Sequence, residues 1–482
     1  MRTAALLVLV LGAQDVPDHP DRLTYAPLRF EVPDPASMRT QLKGGATAYL
    51  VEDPSLPLVD VQVFVKAGSF ADPKGREGLA DLCASLMRTG GTATRSPEDL
   101  DRELDELAAN LSVSLGDVSG AASLSVLAKD LDRGLELLFD VLRNPAFRQD
   151  KLDVLKAQTF DALKARNDST ASIESREASL LFYGDFPVNR LPTKASVESV
   201  AREDLAGFHR ASFHPSRFII AAAGAFKREA LVAKLEAAFA GWPASDGKPP
   251  EVPSIRAAPK PAIYCFHKPG ENINQGRVTI GHLGLTIHHP DVQAVRVMSY
   301  ILGAGGFSSR LMQRVRTEEG LAYDVRSDLR PGFVYPFPFK LQFQSKSSSV
   351  AKAAKLCLEE LARLREQGVS ERELKAAQQF FIDAFPGLFF ATRFQTASTY
   401  AQAELLGLPK DYYATYREKI AALTVDDIRR VAREHLHPDK FAWVVVGDIP
   451  TIKKGEGGVT LADLGPLVDV PLSDPLTLER PR

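Results

Sequence analysis

The 482 residues are 45% hydrophobic and 25% charged, and 59 Lys plus Arg against 61 Asp plus Glu leave a formal net charge of −2. That is the balance of a soluble globular chain, and it excludes a charge-driven nucleic-acid binder. Beyond the N-terminus no stretch reaches the ~18 uninterrupted apolar residues of a membrane helix. The length sets a prior of roughly two to four domains. Cys83, Cys265 and Cys357 stand far apart. They form no zinc spacing, and an odd count closes no disulfide framework, so small buried residues are expected.

Residues 1–13 carry one positive charge, a short apolar run and a small-residue end, the grammar of a signal peptide. That reading implies a periplasmic or secreted protein; without it the chain is cytoplasmic. Residues 14–44 read as an extended lead-in. Alternation predicts a strand over 58–67. A turn at 75–78 precedes a helix over 79–87, stopped by Gly90 and Gly91. A second helix spans 96–110, with Ser96 as N-cap and Pro97 at its first position. Paired strands follow at 111–115 and 121–126, then helices over 131–143, 149–167 and 200–213, and a buried strand at 218–223. Six prolines between Trp242 and Pro261 mark a linker, residues 242–261.

After the linker the spacing predicts a strand at 278–283, a helix over 292–302, a strand at 339–344 and helices over 350–366, 371–385 and 426–436. A strand follows at 441–446, and the tail from 451 to 482 shows no strong period. Between these lies an unusual run. A helical pattern stops at Gly303, Gly305 and Gly306, and a new helix begins with Ser308 or Ser309 as N-cap. It carries Arg310, Arg314 and Arg316 and stops at Gly320, where a strand starts at Leu321. Arg316 and Tyr323 therefore flank one helix-to-strand turn. Glycines before a helix start leave N–H groups free for an anion or a carbonyl oxygen.

The two sides of the linker repeat one another. Asp204, His214-Pro215, Phe218 and Gly224 recur as Asp427, His437-Pro438, Phe441 and Gly447 in one constant register. A repeat this long implies two copies of one α/β domain, over 45–241 and 262–450.

The run Gly305-Gly306, Ser309-Arg310-Leu311, Arg316 and Gly320-Leu321-Ala322-Tyr323 resembles the C-terminal half of the pitrilysin-type, insulinase-like zinc peptidases (inverzincins). The similarity is to the branch of the mitochondrial processing peptidase and its two-subunit bacterial relatives. The resemblance covers roughly residues 45 to 450. It implies an α+β fold of two repeated α/β halves, a clamshell around a peptide-binding cavity. It also implies that Arg316 and Tyr323 hold the substrate backbone at the scissile bond as catalytic residues, with Gly305, Gly306, Ser309 and Arg310 binding substrate beside them.

The family's other signature, His-x-x-Glu-His, sits on a helix of the N-terminal half, where two His hold zinc and the Glu activates water. Those positions here are Asp81-Leu82-Cys83-Ala84-Ser85. Asp81, Ala84 and Ser85 replace both ligands and the base. The helix expected to bring a third ligand contains no Glu between 152 and 165; Asp161 lies near the expected place. The nine histidines offer no second pair at helical spacing around a Glu. The expectation is therefore no metal in this chain, with zinc carried by a same-family partner. The chain reads as the non-catalytic, substrate-binding subunit of a heterodimeric zinc metallopeptidase, inactive alone, that takes a peptide or unfolded protein. The alternatives are a structural scaffold subunit and a stand-alone peptide-binding protein.

Overall fold

Two six-stranded sheets organise the residues described by the computed structural model, which are 23, 29–243, 251–255 and 259–481. The expected signal peptide and much of the 242–261 linker lie outside these residues. The first sheet holds β1 (Arg39–Gln41), β2 (Thr47–Glu52), β3 (Leu58–Val65), β4 (Asn110–Leu115), β5 (Gly120–Leu127) and β6 (Phe218–Gly224). The second holds β7 (Ala262–His267), β8 (Gln275–Leu283), β9 (Ala322–Asp328), β10 (Pro338–Lys346), β11 (Ala442–Gly447) and β12 (Leu467–Asp469). Their orders are β1-β2-β6-β3-β5-β4 and β12-β7-β11-β8-β10-β9. Five strands of each sheet thus follow one plan, and only the added edge strand differs.

The buried central strands explain the repeat seen in the sequence. β6 runs parallel to β2 and antiparallel to β3, and β11 stands in the same relation to β7 and β8. A strand paired on both edges and covered on both faces must be apolar throughout, and Phe218–Ala223 and Ala442–Val446 are buried without a break. Each is entered through a tight turn at a His-Pro pair, His214-Pro215 and His437-Pro438. On one face of the first sheet lie the Leu79–Thr89 and Leu131–Arg143 helices, whose Leu82, Leu86, Leu135 and Leu138 enter a continuous core. Cys83, Cys265 and Cys357 are buried and unpaired with one another.

On the opposite faces the halves exchange helices. Thr170–Tyr183, from the first half, lies on β8 and β11, while Arg393–Leu405, from the second, lies on β2, β3 and β6. Ile173, Ala178 and Phe182 pack with Phe266, Ala442, Val444 and Val446. Ser398 donates to Gln62 at 3.1 Å, and Thr279 donates to Glu174 at 2.7 Å. Neither helix is evident in the sequence, because each buries polar residues such as Glu174, Glu177, Thr396 and Ser398 along with apolar ones, which blurs the single apolar stripe of an amphipathic helix.

The tail, expected to be irregular, is built in. After the Ile449–Lys454 helix and β12 it crosses back to the first half. Ser473, Pro475 and Leu476 carbonyls accept from Asn167, Arg166 and the Lys194 N–H at 2.9, 3.1 and 2.8 Å, and Arg480 pairs with buried Glu177. No helix among the described residues is long and apolar enough to cross a membrane.

Candidate functional site

The glycine-rich run folds around close backbone approaches. The Val292–Ser299 helix widens at Tyr300–Ala304, where bonding becomes i→i+5. Gly303 passes so near β9 that a Cβ there would stand 2.3 Å from the Ser327 nitrogen. The chain reverses through Gly306, at φ 63°, and a second widened helix spans Met312–Glu318. Gly320, at φ 64°, ends it: its N–H reaches the Arg316 carbonyl at 3.1 Å and the Leu321 N–H reaches Val315 at 2.9 Å. The L-residue penalty at such φ explains the glycine. β9 then starts, and its far side is an open sheet edge.

The expected contacts need correction. Ser309 stands at the N-cap position, in extended backbone, with its carbonyl accepting the Gln313 N–H at 3.0 Å, while the Ser308 and Ser309 hydroxyls donate back to the Gly305 and Gly306 carbonyls at 3.0 and 2.7 Å. Ser309 is 1% exposed, its side chain enclosed in the turn. Gly305 N–H is already bonded to the Tyr300 carbonyl at 2.9 Å. Arg310 makes a forked pair with Glu373 at 2.6 and 2.8 Å and donates to the Gly368 carbonyl at 3.0 Å. Burial alone would raise the Glu373 carboxyl, but Arg310 and Ser370 outweigh it and hold it at about 2. Ser309 and Arg310 therefore frame the turn instead of lining it.

Arg316, half-buried, and Tyr323, exposed, face each other. The Arg316 guanidinium carbon sits 4.3 Å from the Tyr323 ring centroid and 4.7 Å from that of Phe307. Tyr323 is 82% exposed. Among the described residues neither the guanidinium nor the Tyr323 hydroxyl has a hydrogen-bond or ion-pair partner. Arg314, two residues earlier, is paired with Glu318 at 2.9 Å. A cation stacked on two rings keeps its N–H edge available, so this pair can receive a carbonyl oxygen. Phe307, unmarked in the sequence, completes it.

In the first half the Leu79–Thr89 helix is held by buried Asp72, which accepts the Gly78 and Ala80 N–H groups, each at 2.9 Å. Burial nevertheless pushes the Asp72 carboxyl up to about 7. Asp81 on this helix is exposed, and desolvation, then Asp117, raises its carboxyl above the ordinary range. Ala84 is buried and Ser85 half-buried. Asp161 points to solvent, paired with Lys164 at 2.8 Å. One carboxylate beside an alanine and a serine does not fit zinc, which takes three or four close N, S or O ligands.

Among the described residues the trio close enough to share a metal is elsewhere: His289, Asp291 and His435. Arg430 holds both Asp291 oxygens, at 2.7 and 3.1 Å, and the Asp291 N–H occupies His289 Nδ1 at 3.1 Å. That guanidinium, first among the causes, keeps Asp291 far below the usual carboxylate range. A cation already in place opposes a second one, and the cluster ties the 286–291 loop to the Val425–His435 helix.

Comparison with known proteins agrees with this geometry. Residues 47–178 match the sequence profile of insulinase (peptidase family M16), and residues 199–381 match that of the peptidase M16 inactive domain. The non-peptidase homolog YmxG of Helicobacter pylori is 24% identical over 82% of this chain and 90% of its own length. An uncharacterized zinc protease of Streptomyces coelicolor is 25% identical over 83% of this chain and 87% of its own. The fold is that of a peptidase M16 inactive domain from Pseudomonas fluorescens, with TM-score 0.75, 24% identity, and coverage of 85% of this chain and 97% of that one. The periplasmic protease PqqL of Escherichia coli shares it at TM-score 0.72 and 16% identity, over 85% of this chain and 45% of that one. With both halves matched, the glycine-rich run in place and the zinc positions replaced, the chain belongs to peptidase family M16, the insulinase family.

Proposed function

We propose that this chain is the substrate-binding, non-catalytic subunit of a heterodimeric zinc metallopeptidase, and that it presents Arg316 and Tyr323 to the zinc site of a same-family partner. The observation that carries the reading is the combination of an unpaired, ring-held Arg316 and an exposed Tyr323 with a first-half helix that has lost its metal ligands. A scaffold subunit has no use for an arginine kept free of carboxylates. The open outer edge of β9 suits an extended peptide, since main-chain pairing accepts many sequences. Arg316 then receives a peptide carbonyl, and the Tyr323 hydroxyl donates to the oxygen that gains negative charge during attack. Zinc and its activated water belong to the partner.

The test is to co-purify the chain with a family member that has an intact His-x-x-Glu-His and to follow cleavage of one quenched peptide. Either chain alone should be inactive and the pair active. Tyr323→Phe should leave pairing intact and slow cleavage by about 10²–10³. Arg316→Ala should also weaken peptide binding. Unchanged cleavage by both variants would leave the scaffold reading in its place.

A further inference from the structure

We propose that Phe307 is a positioning residue for Arg316, a third member of the substrate-receiving group; its place in peptide cleavage rests on the reading of Arg316 and Tyr323 given above. Three arginines lie within seven residues here, and they are treated differently. Arg310 is neutralised by Glu373 and Arg314 by Glu318. Arg316 has no acceptor among the described residues and lies over two rings, those of Phe307 and Tyr323. A guanidinium hydrogen-bonds through its edge and stacks through its faces. Stacking therefore fixes its plane without using a donor, whereas a carboxylate would occupy the same edge that a peptide carbonyl needs.

Phe307 is itself held for this. Gly306, at φ 63°, turns the chain outward just before it. The Ser309 hydroxyl secures the turn through the Gly306 carbonyl, and the Gln313 side-chain amide donates to the Phe307 carbonyl at 2.5 Å. The residue remains 64% exposed. Its cover is the Arg316 guanidinium. Without it Arg316 would keep one ring and regain the rotamer freedom of a surface arginine.

The test uses the full chain first. The Arg316 Nε–Hε signal, identified by its loss in Arg316→Lys, should show a rigid side chain on the picosecond–nanosecond timescale. Phe307→Ala should make it mobile, Phe307→Leu should not restore it, and Phe307→Tyr should. Phe307 is at the surface, so thermal melts of these variants should match the unsubstituted protein. In the active pair, Phe307→Ala should lower kcat/KM by about two- to fivefold through KM, the scale of an exposed cation–π contact. A rigid Arg316 in Phe307→Ala, or full restoration by leucine, overturns the proposal. A mobile Arg316 with unchanged cleavage by both Phe307→Ala and Arg316→Ala supports the positioning role and instead removes the lent-residue reading.

Discussion

Tyr49 of β2 donates its hydroxyl to the carboxylate of Glu404, 355 residues later, at 2.6 Å. The same carboxylate takes the Arg39 guanidinium at 2.8 and 2.9 Å and the Thr47 hydroxyl at 3.2 Å. Three side chains from the edge of the first sheet thus share one acceptor at the end of the Arg393–Leu405 helix. Arg39, the largest influence, lowers the Glu404 carboxyl, while burial and then Glu404 raise the Tyr49 phenol. Glu404→Ala should leave the buried Tyr49 phenol without an acceptor and destabilise the protein by about 1–3 kcal/mol. Urea unfolding followed by circular dichroism measures this. An unchanged midpoint would show that water replaces the carboxylate at no cost.

Acid should find the Arg310–Glu373 pair. The folded-state carboxyl sits at about 2, against an ordinary 4.5. A depressed carboxyl contributes stability that is fully present above its unfolded value and is lost as pH falls through the folded one. The stability difference between the unsubstituted protein and Glu373→Gln should therefore be constant above about pH 5 and shrink between pH 4.5 and 2. Denaturant titrations at several pH values check it, and a difference independent of pH would mean that the pair adds nothing beyond its neutral hydrogen bonds.

Restoring the family's motif should not restore a metal. Ala84 is 3% exposed and Asp161 is turned outward to Lys164. Ala84→Glu alone should cost about 1–3 kcal/mol by overpacking. The triple variant Asp81→His, Ala84→Glu, Ser85→His should hold no stoichiometric zinc after dialysis. Metal analysis that finds zinc in equal amount to the chain would mean that the site has closed less than its packing indicates.

The C-terminal crossing should matter to stability. A chain ending at Leu472 loses the carbonyl contacts to Asn167, Arg166 and Lys194, and leaves Glu177, at 1% side-chain exposure, with Arg176 alone. A loss of about 2 kcal/mol is expected, with faster amide exchange in the Thr170–Tyr183 helix. Arg480→Ala should reproduce part of it. Equal exchange in the truncated chain would show that the crossing lies on the surface without supporting it.

Much of the site could be read from residues alone, because it is local. Gly320 ends a helix and β9 begins two residues later, so Arg316 and Tyr323 had to share a turn. Phe307 could not be read, since its use depends on which way Gly306 sends the chain. The inward turn of Ser309 and Arg310 depends on Glu373, 63 residues away, and the histidine–aspartate cluster joins residues 144 apart. In the fold, strands buried on both faces announced themselves. The exchanged helices did not, since each meets a sheet whose polar strand residues call for polar partners.

That exchange has a consequence for any half of this chain on its own. Residues 33–243 would keep the Thr170–Tyr183 helix with no sheet to lie on, and would leave one face of β6 bare. The second half would be left in the mirror predicament. A lone half therefore begins life sticky, and the cure within its reach is another copy of itself, trading helix for helix. In the 482-residue chain both exchanged helices are supplied by one polypeptide. Cutting it between 244 and 250 should yield fragments that stay clasped, migrating together until denaturant separates them.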